Sequence, residues 1–212
     1  KGLLTSNGEY LLRQRRLIQP GFHAEKIRAL YSIIQNTVDR FLYDFPTDQQ
    51  INVYPLMNKL AFRIVIDSLF NVDIPVESQQ QLSSFIEEAQ ELVIKEVRQP
   101  YKRWWFELSG EVTRNLNNAE RARNIIRGLI EQRRRSTDTH HDLLQMLMDA
   151  RYEDNGEPMD ERQIIDEILI LLIAGHETTA NALSWTLYLL ANHREELESL
   201  RAETKGFTTE QC

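Results

Sequence analysis

The chain has 212 residues, of which 42% are hydrophobic and 27% are charged, and its formal net charge is −7 at pH 7. These proportions are typical of a soluble globular protein. The acidic balance argues against general nucleic-acid binding, because phosphates repel negative charge. Cys212 is the single cysteine, which excludes a disulfide bond within the chain and fits a reducing compartment.

The low content of helix-breaking residues predicts an all-α fold. The chain contains only 8 glycines and 6 prolines, and it is rich in residues that favour helices. No signal peptide or transmembrane stretch is visible. We expect a cytoplasmic, soluble protein if the source is bacterial. The sequence leaves an N-terminal membrane anchor open, because Lys1 in place of methionine suggests that the natural N-terminus is missing.

Four helices are predicted in the first half of the chain, where apolar residues recur at three- and four-residue steps. They cover residues 9–19, 23–45, 56–70 and 78–98. Prolines follow the first, second and fourth of them, as is typical of helix ends. Residues 51–54 are expected to form a short extended link, and residues 71–77 a turn.

Residues 101–106 form an aromatic and basic cluster that includes Trp104, Trp105 and Phe106. A platform for nucleic-acid bases is one interpretation, but a single short cluster on an acidic chain supports it weakly. We favour a loop that packs its aromatic rings over a core.

The second half of the chain predicts four more helices, over residues 117–135, 142–151, 160–192 and 194–204. Asn155-Gly156 marks a turn, and the Asp160 side chain can cap the helix that follows. His140-His141 has no metal-ligand partner at a useful spacing, so we interpret this pair as surface residues.

The longest predicted helix carries a polar insert in its middle. No proline occurs from Met159 to Asn192, so about 33 residues can form one helix of roughly 50 Å. The flanks of the insert are apolar on every side, which predicts burial. A glycine costs a helix ~1 kcal/mol relative to alanine, and a buried carboxylate needs a partner. Polar residues at such a place therefore suggest a functional site.

The insert combines small residues with an acid and a hydroxyl. Ala174 and Gly175 leave room for a flat group to approach the backbone. The Thr178 hydroxyl can donate to the Ala174 carbonyl, one helical turn earlier. Glu177 stands beside it, so the pair could hold a ligand and relay protons.

Three other interpretations compete with a ligand site. The first is a core helix with a helix–helix contact at Gly175. A zinc site is the second, but Ala180 stands where the second histidine of a His-Glu-x-x-His pattern would follow His176-Glu177. The third is a membrane span, but the apolar run over residues 168–175 is far shorter than the ~18 residues required.

The segment Ala174-Gly175-His176-Glu177-Thr178-Thr179 resembles the oxygen-activation motif of the cytochromes P-450, the haem-thiolate monooxygenases. The motif reads Ala/Gly-Gly-x-Asp/Glu-Thr-Thr/Ser and lies in the long central helix I of that family. The resemblance implies that Thr178 and Glu177 are catalytic. Thr178 would bind dioxygen or its water, and Glu177 would bring protons. Ala174 and Gly175 would leave room for oxygen beside the haem.

The first predicted helix resembles helix C of the same family, in which a Trp-x-x-x-Arg pair binds a haem propionate. Arg15 falls on the arginine position, and Leu11 falls on the tryptophan position. Leucine has no N–H to donate, so one bond to the propionate would be lost. Arg13 and Arg16 would either form a solvated basic face or dock an acidic electron donor.

The resemblance runs over nearly the whole chain and implies that residues 1–212 form a partial haem domain, with helices C to J arranged around helix I. It stops before the Glu-x-x-Arg motif and before the cysteine loop that ligates the iron. Cys212 lacks the Phe-x-x-Gly-x-Arg pattern, so we expect the chain to be a fragment that lacks the C-terminal haem-binding part, with no metal ligand of its own.

The parent protein would be a monooxygenase with heme b as its cofactor. Its partners would be molecular oxygen, a small organic and apolar substrate, and a ferredoxin or flavoprotein reductase as electron donor, with no nucleic acid. Trp104, Trp105 and Phe106 would lie in the substrate-channel lid, which often touches the membrane. The alternative is a non-catalytic all-α interaction module, in which Gly175 is a helix contact and Glu177 is a buried salt-bridge partner.

Overall fold

A computed structural model describes residues 6–47, 49–72 and 74–205. This part of the chain is built from α-helices and two short 3₁₀ helices, and it contains no β-strand. The α-helices are α1 Gly8–Ile18, α2 Ala24–Tyr43, α3 Val53–Phe70, α4 Val76–Arg98, α5 Arg103–Leu108, α6 Glu111–Arg135, α7 Leu143–Asp149, α8 Glu161–Asn192 and α9 Arg194–Thr204. The all-α prediction is confirmed.

The long central helix is the feature that the sequence predicts best. Helix α8 ends at Asn192, as predicted, and it begins one residue after Asp160. The Asp160 Oδ1 accepts a hydrogen bond from the Gln163 backbone N–H at 2.8 Å, so the predicted cap is confirmed. Helix α9 has the predicted bounds.

The extended link predicted over residues 51–54 is wrong at its C-terminal end, because α3 already begins at Val53. The Asn52 side chain accepts a hydrogen bond from the Tyr54 backbone N–H at 3.3 Å. Pro55 lies in the first turn, where a helix needs no N–H donor. Because of this cap and the tolerated proline, the helix begins three residues before the start that the apolar pattern predicts.

The loop predicted over residues 101–106 is also wrong. The 3₁₀ helix Pro100–Lys102 leads directly into α5. Phe106 is buried, whereas Trp104 and Trp105 are 65% and 52% exposed and contact each other edge to face. Of the three aromatic side chains, only Phe106 packs into the core as the sequence analysis expected.

Helices α3 and α8 form the most extensive helix pair in the described structure. Helices α2 and α7 also pack against α3, helices α6 and α9 against α8, and helices α4 and α5 against α6. The core that they share contains Leu17, Ile18, Phe62, Ile66, Leu69, Phe70, Ile74, Leu82, Ile86, Ala122, Ile126, Leu129, Ile130, Leu144, Leu147, Met159, Ile164, Ile165, Ile168 and Leu172. Helix α8 is buried mainly in its N-terminal half. Its C-terminal half exposes Trp185, Tyr188 and Leu189, so the predicted burial on every side is not met within the described residues.

A buried polar network joins three helices on one side of the core. Thr37 of α2 donates a hydrogen bond to the Asp67 carboxylate of α3 at 2.8 Å. Arg63 forms an ion pair with the same carboxylate at 2.9 Å, and it also donates to Gln79 of α4 at 2.9 Å. Asp67 is thus satisfied in the core, where an unpaired carboxylate would be strongly unfavourable.

A fully buried ion pair lies next to the C-terminal end of α3. The Arg133 guanidinium, at the end of α6, contacts the Asp142 carboxylate at 2.6 Å. It also donates to the Phe70 carbonyl at 2.5 Å. Asp142 in turn caps α7 by accepting from the Gln145 backbone N–H at 2.9 Å. One arginine therefore joins the ends of α3 and α6 to the start of α7.

Within the described ranges, no helix has both the length and the apolar character needed to cross a lipid bilayer.

Replacing Arg133 with methionine should strongly destabilise the protein, because it leaves the Asp142 carboxylate buried without a cation. The expected loss is about 3–5 kcal/mol in the free energy of unfolding, measured by urea denaturation. The matched control is Arg134→Met, which removes an ion pair between Arg134 and Glu161 whose side chains are 48% and 33% exposed. That change should cost at most about 1 kcal/mol. Equal losses of unfolding free energy in the two variants would contradict the conclusion that the buried Arg133–Asp142 pair is the more important for stability.

Candidate active site

The polar insert of α8 is divided between two faces of the helix. Leu172, His176 and Ala180 follow each other at four-residue steps and are completely buried. Ala174 and Thr178 share the same spacing on another face, and both are exposed. One side of the motif therefore packs in the core, and another side lies on an open surface.

Gly175 lies at a tight contact between α8 and α3. A Cβ atom at this position would lie 3.0 Å from Cγ2 of Val65, which is closer than ordinary packing allows. The helix–helix contact predicted as an alternative for Gly175 is confirmed. The role of Gly175 beside a cofactor stays a prediction, and it would have to be fulfilled by the backbone.

The Thr178 hydroxyl forms the hydrogen bond that the sequence predicts. It donates to the Ala174 carbonyl at 2.7 Å. Because the proton is directed to the helix backbone, the hydroxyl oxygen keeps its lone pairs for an acceptor role on the exposed face. Thr186 makes the same bond to the Ala182 carbonyl at 2.8 Å two turns later, so the bond alone does not distinguish the site.

Glu177 lies at the boundary between the two faces and is half-buried. Its Oε2 accepts a hydrogen bond from Nε2 of Gln90 in α4 at 2.6 Å. Within the described residues it forms no ion pair, so the salt bridge proposed for the interaction-module alternative is not found there. Sequence reasoning missed Gln90, because no local pattern links two positions that are 87 residues apart.

His176 is a core residue rather than a surface ligand. Its ring contacts the Phe62 ring edge to face, with centroids 5.5 Å apart, and neither ring nitrogen has a hydrogen-bond partner in the described structure. Burial lowers the pKa of His176, and the negative charges of Glu177 and Glu87 oppose this shift only in part. The neutral imidazole is thus the form that the core favours.

Helix α1 carries Arg15, which is predicted to hold a propionate, and Leu11, which is predicted to replace a tryptophan donor. The Arg15 side chain is exposed and has no hydrogen bond or ion pair within the described part of the chain. Leu11, one turn earlier, is half-buried and has no side-chain donor. A free guanidinium fork is suited to bind a carboxylate.

Side-chain hydrogen bonds hold α1 against the start of α8. Gln14 donates to the Tyr152 hydroxyl at 2.9 Å, and this hydroxyl donates to Gln163 of α8 at 2.8 Å. The Gln163 amide closes the ring of bonds by donating to Gln14. The position of Arg15 relative to α8 is therefore fixed by buried contacts of its neighbour.

The other two arginines of α1 differ from each other. Arg13 pairs with Asp154 at 3.2 Å and lies over the Tyr152 ring at 3.9 Å from its centroid. Arg16 is exposed and has no ion pair within the described residues. Arg13 is thus used within the fold, and Arg16 remains available to an acidic partner.

The chemistry of these residues fits a flat, largely apolar cofactor that carries carboxylates, as haem does. Ala174 and Thr178 provide a surface with little side-chain bulk, and Arg15 provides an unpaired cation. In the described portion of the chain, no three His, Cys, Asp or Glu residues are placed to share a metal ion. Cys212 lies outside the described residues.

Comparisons with known proteins agree on one family. The family model described as Cytochrome P450 matches residues 1–211. The cyclooctat-9-en-7-ol 5-monooxygenase of Streptomyces melanosporofaciens is 28% identical over 202 residues, which cover 95% of this chain and 44% of that protein. Cyclooctatin synthase of the same organism is 29% identical over 208 residues, with coverage of 95% and 44%. The solved structure of retinoic acid bound cyanobacterial CYP120A1 matches with a TM-score of 0.78 at 24% identity, covering 97% of this chain and 45% of that chain. The chain spans less than half the length of each of these proteins.

The tight contact at Gly175 predicts that Gly175→Ala destabilises the protein. Overpacking against Val65, whose χ1 is restricted in a helix, costs about 1–3 kcal/mol. Alanine returns only about 1 kcal/mol of helix propensity, so we expect a net loss near 1 kcal/mol. In a Val65→Ala background this loss should disappear, with a coupling energy above about 0.5 kcal/mol.

The matched control is Gly128→Ala in α6, where a Cβ would meet no atom within 4 Å. This control should stabilise the protein, and a stabilising Gly175→Ala would refute the packing assignment.

The buried imidazole predicts a pH dependence of stability. The pKa of His176 lies below its ordinary value of 6.5 in the folded protein, so the unfolded chain binds a proton at a pH where the native state does not. The free energy of unfolding should therefore fall as the pH drops below about 6.5, by up to ~1.4 kcal/mol per pH unit. Above that pH the residue should contribute no slope.

Urea denaturation between pH 5.5 and pH 7.5 measures this effect. His176→Leu should lose the contribution, whereas His141→Gln, a change at an exposed histidine, should leave the wild-type slope in place. An unchanged slope in His176→Leu would contradict the assignment, because it would mean that the pKa of His176 is the same in the folded and unfolded states.

Proposed function

The chain belongs to the cytochrome P450 family, and we propose that the complete protein is a haem-dependent monooxygenase. It inserts one atom of O₂ into an organic, apolar substrate and releases the other atom as water. The observation that carries the proposal is the arrangement on α8. The exposed Thr178 directly follows Glu177 in the chain, and the Glu177 carboxylate is held from a second helix.

The bound haem supplies the oxidising chemistry, namely the activation of O₂ with two electrons. The overall reaction also consumes two protons, because one oxygen atom leaves as water. This demand defines what the chain must provide beside the cofactor: a surface free of bulk, a group that holds water or oxygen, and a source of protons.

Thr178 and Glu177 meet the last two of these requirements. The Thr178 hydroxyl donates to Ala174, so its oxygen can accept a hydrogen bond from a water molecule on the open face and hold it in place. Glu177 can carry a proton and deliver it through that water. Ala174, and the Gly175 backbone next to it, keep the surface free of bulky side chains.

Arg15 is the residue that we propose to hold a haem propionate. Its guanidinium is unpaired within the described part of the chain and can form two parallel hydrogen bonds to one carboxylate. Leu11 lies where other family members place a donor, and it can offer only apolar contact to the cofactor. We expect Arg15 alone to hold that propionate from α1.

The substrate class and partners follow from the same proposal. A relative is named for monooxygenation of cyclooctat-9-en-7-ol, and a structural neighbour holds retinoic acid, which supports an apolar substrate. The exposed Trp104 and Trp105 would contact such a substrate or a lipid surface. Electrons would come from a ferredoxin or a flavoprotein reductase, and Arg16 is available to contact such a donor. We propose heme b as the form of the cofactor, and a cytoplasmic location if the source is bacterial.

Thr178→Ala in the complete haem-bearing protein should uncouple electron use from product formation. Product formed per NADPH oxidised should fall roughly tenfold or more, as for other losses of a positioned proton-transfer group. Without a known substrate, the same loss is measured as hydrogen peroxide released per O₂ consumed. The matched control is Thr186→Ala, which removes the same type of backbone hydrogen bond two turns away and should leave coupling unchanged.

The carbon monoxide difference spectrum of the reduced protein is the accompanying test of haem binding. Both variants should retain the band of a thiolate-ligated haem, because neither change touches the predicted anchor. A wild-type protein that shows no such band after reconstitution with hemin would overturn the proposed function. Unchanged coupling in Thr178→Ala would remove only this residue from the mechanism.

A further inference from the structure

The hydrogen bond between Gln90 and Glu177 joins α4 to the acidic residue of the site. Nε2 of Gln90 lies 2.6 Å from Oε2 of Glu177, a short distance for an N–H donor and a carboxylate oxygen. Both side chains are half-buried, so water competes less for this bond than it would at a fully exposed site. The contact bridges two helices that otherwise meet little in the described structure.

The two carboxylate oxygens of Glu177 differ in their hydrogen bonding. Oε2 is held by the amide, while Oε1 has no hydrogen-bond partner among the described residues. A glutamate side chain on an open helix surface would sample several rotamers, and ordering it costs conformational entropy. Fixing one oxygen from a second helix restricts this sampling and leaves the other oxygen free to take up or release a proton.

A neutral amide suits this task better than a cation. An amide N–H can donate to a carboxylate, and it can equally donate to the carbonyl oxygen of a protonated carboxyl group. A lysine or arginine in the same place would favour the charged form alone. Gln90 can therefore remain hydrogen-bonded to Glu177 both when the carboxyl group is ionised and when it is protonated.

Helix α4 offers a rigid base for this contact. Leu82 and Ile86 bury the helix in the core, and Gln79 is bonded to Arg63 and to the Ile74 carbonyl at 2.9 and 2.7 Å. The Asn118 amide of α6 also donates to Glu88, two residues before Gln90, at 2.9 Å. The Gln90 side chain thus projects from a helix whose position other contacts fix.

We propose that Gln90 is a positioning residue, which orients the Glu177 carboxylate for proton delivery by holding Oε2 and leaving Oε1 free. The inference rests on the proposed function, because it assumes that Glu177 supplies protons in the complete protein. It goes further by naming a residue outside the α8 motif on which this supply depends.

The first experiment is a cycle of variants in the complete haem-bearing protein, with NADPH, a plant ferredoxin and its reductase as the electron source. The readout is hydrogen peroxide released per O₂ consumed, without added organic substrate. Reduction of O₂ to two waters takes four electrons and four protons, whereas release as peroxide takes two of each. Poor proton delivery therefore raises the peroxide share.

Gln90→Leu should raise the ratio of peroxide to water roughly tenfold, the scale expected when a reacting group loses its orientation. Glu177→Ala should raise it at least as much. The double variant should resemble Glu177→Ala alone, because Gln90 acts only through Glu177. The matched control is Gln81→Leu, at an exposed glutamine of the same helix whose amide donates only to Glu77 within α4. It should leave the peroxide ratio unchanged.

The second experiment does not depend on haem. The urea midpoints of Gln90→Leu, Glu177→Ala and the double variant should be non-additive, with the double variant unfolding close to the less stable single variant. Additive losses would show that the bond does not form, and this would overturn the inference. Non-additive midpoints with an unchanged peroxide ratio in Gln90→Leu would also overturn it, because Gln90 would then be a structural tether alone.

Failure of the proposed function has a different signature. If Glu177→Ala leaves the peroxide ratio at the wild-type value, Glu177 is not the proton source and the inference fails with that assignment. If the wild-type protein binds no haem, both fail, whatever the unfolding cycle shows.

Discussion

The close approach of α3 to α8 at Gly175 is the constraint on which the rest of the structure depends. With no side chain at Gly175, Val65 of α3 can approach the α8 backbone. The ring of His176, the next residue of α8, packs against Phe62, which also belongs to α3. Two consecutive residues of α8 thereby face α3. Because successive residues of a helix are separated by a fixed rotation, this contact also determines where Glu177 and Thr178 lie.

Helix α3 can serve as this reference because two sets of polar contacts fix its C-terminal half. The Asp67 carboxylate binds Thr37 and Arg63, which ties α3 to α2 and, through Gln79, to α4. At its C-terminal end, the Phe70 carbonyl accepts from Arg133. Such bonds are directional and must all be satisfied when buried, so they restrict the sliding and rotation that apolar packing alone would allow.

The sequence predicts well whatever depends on near neighbours in the chain. The end of α8, its cap at Asp160 and the bond from Thr178 to Ala174 all involve residues within four positions of each other, and each is confirmed. The start of α3 at Val53 is also local, but it depends on a cap and a tolerated proline rather than on apolar periodicity. Periodicity alone therefore placed it wrongly.

Contacts between distant segments could not be predicted in the same way. Gln90 is one of several glutamines on α4, and nothing in its immediate sequence separates it from Gln79 or Gln81. The fold alone decides that Gln90 meets Glu177 whereas Gln79 meets Arg63. Likewise, His176 stands in a motif that suggests ligand chemistry, and only the packing of Phe62 shows that its ring lies in the core.

The division of α8 into two faces explains how one short motif can serve both packing and chemistry. Leu172, His176 and Ala180 hold one face in the core, while Ala174 and Thr178 stay on an open face. A rotation that moved Thr178 would also drive a bulkier part of α8 against Val65, where there is no space. The packing that stabilises the helix therefore also orients its reactive groups, which is the support that a precise site requires. Glu177 lies between the faces, where neither the core nor the open surface holds it, and for that reason its orientation must come from another helix.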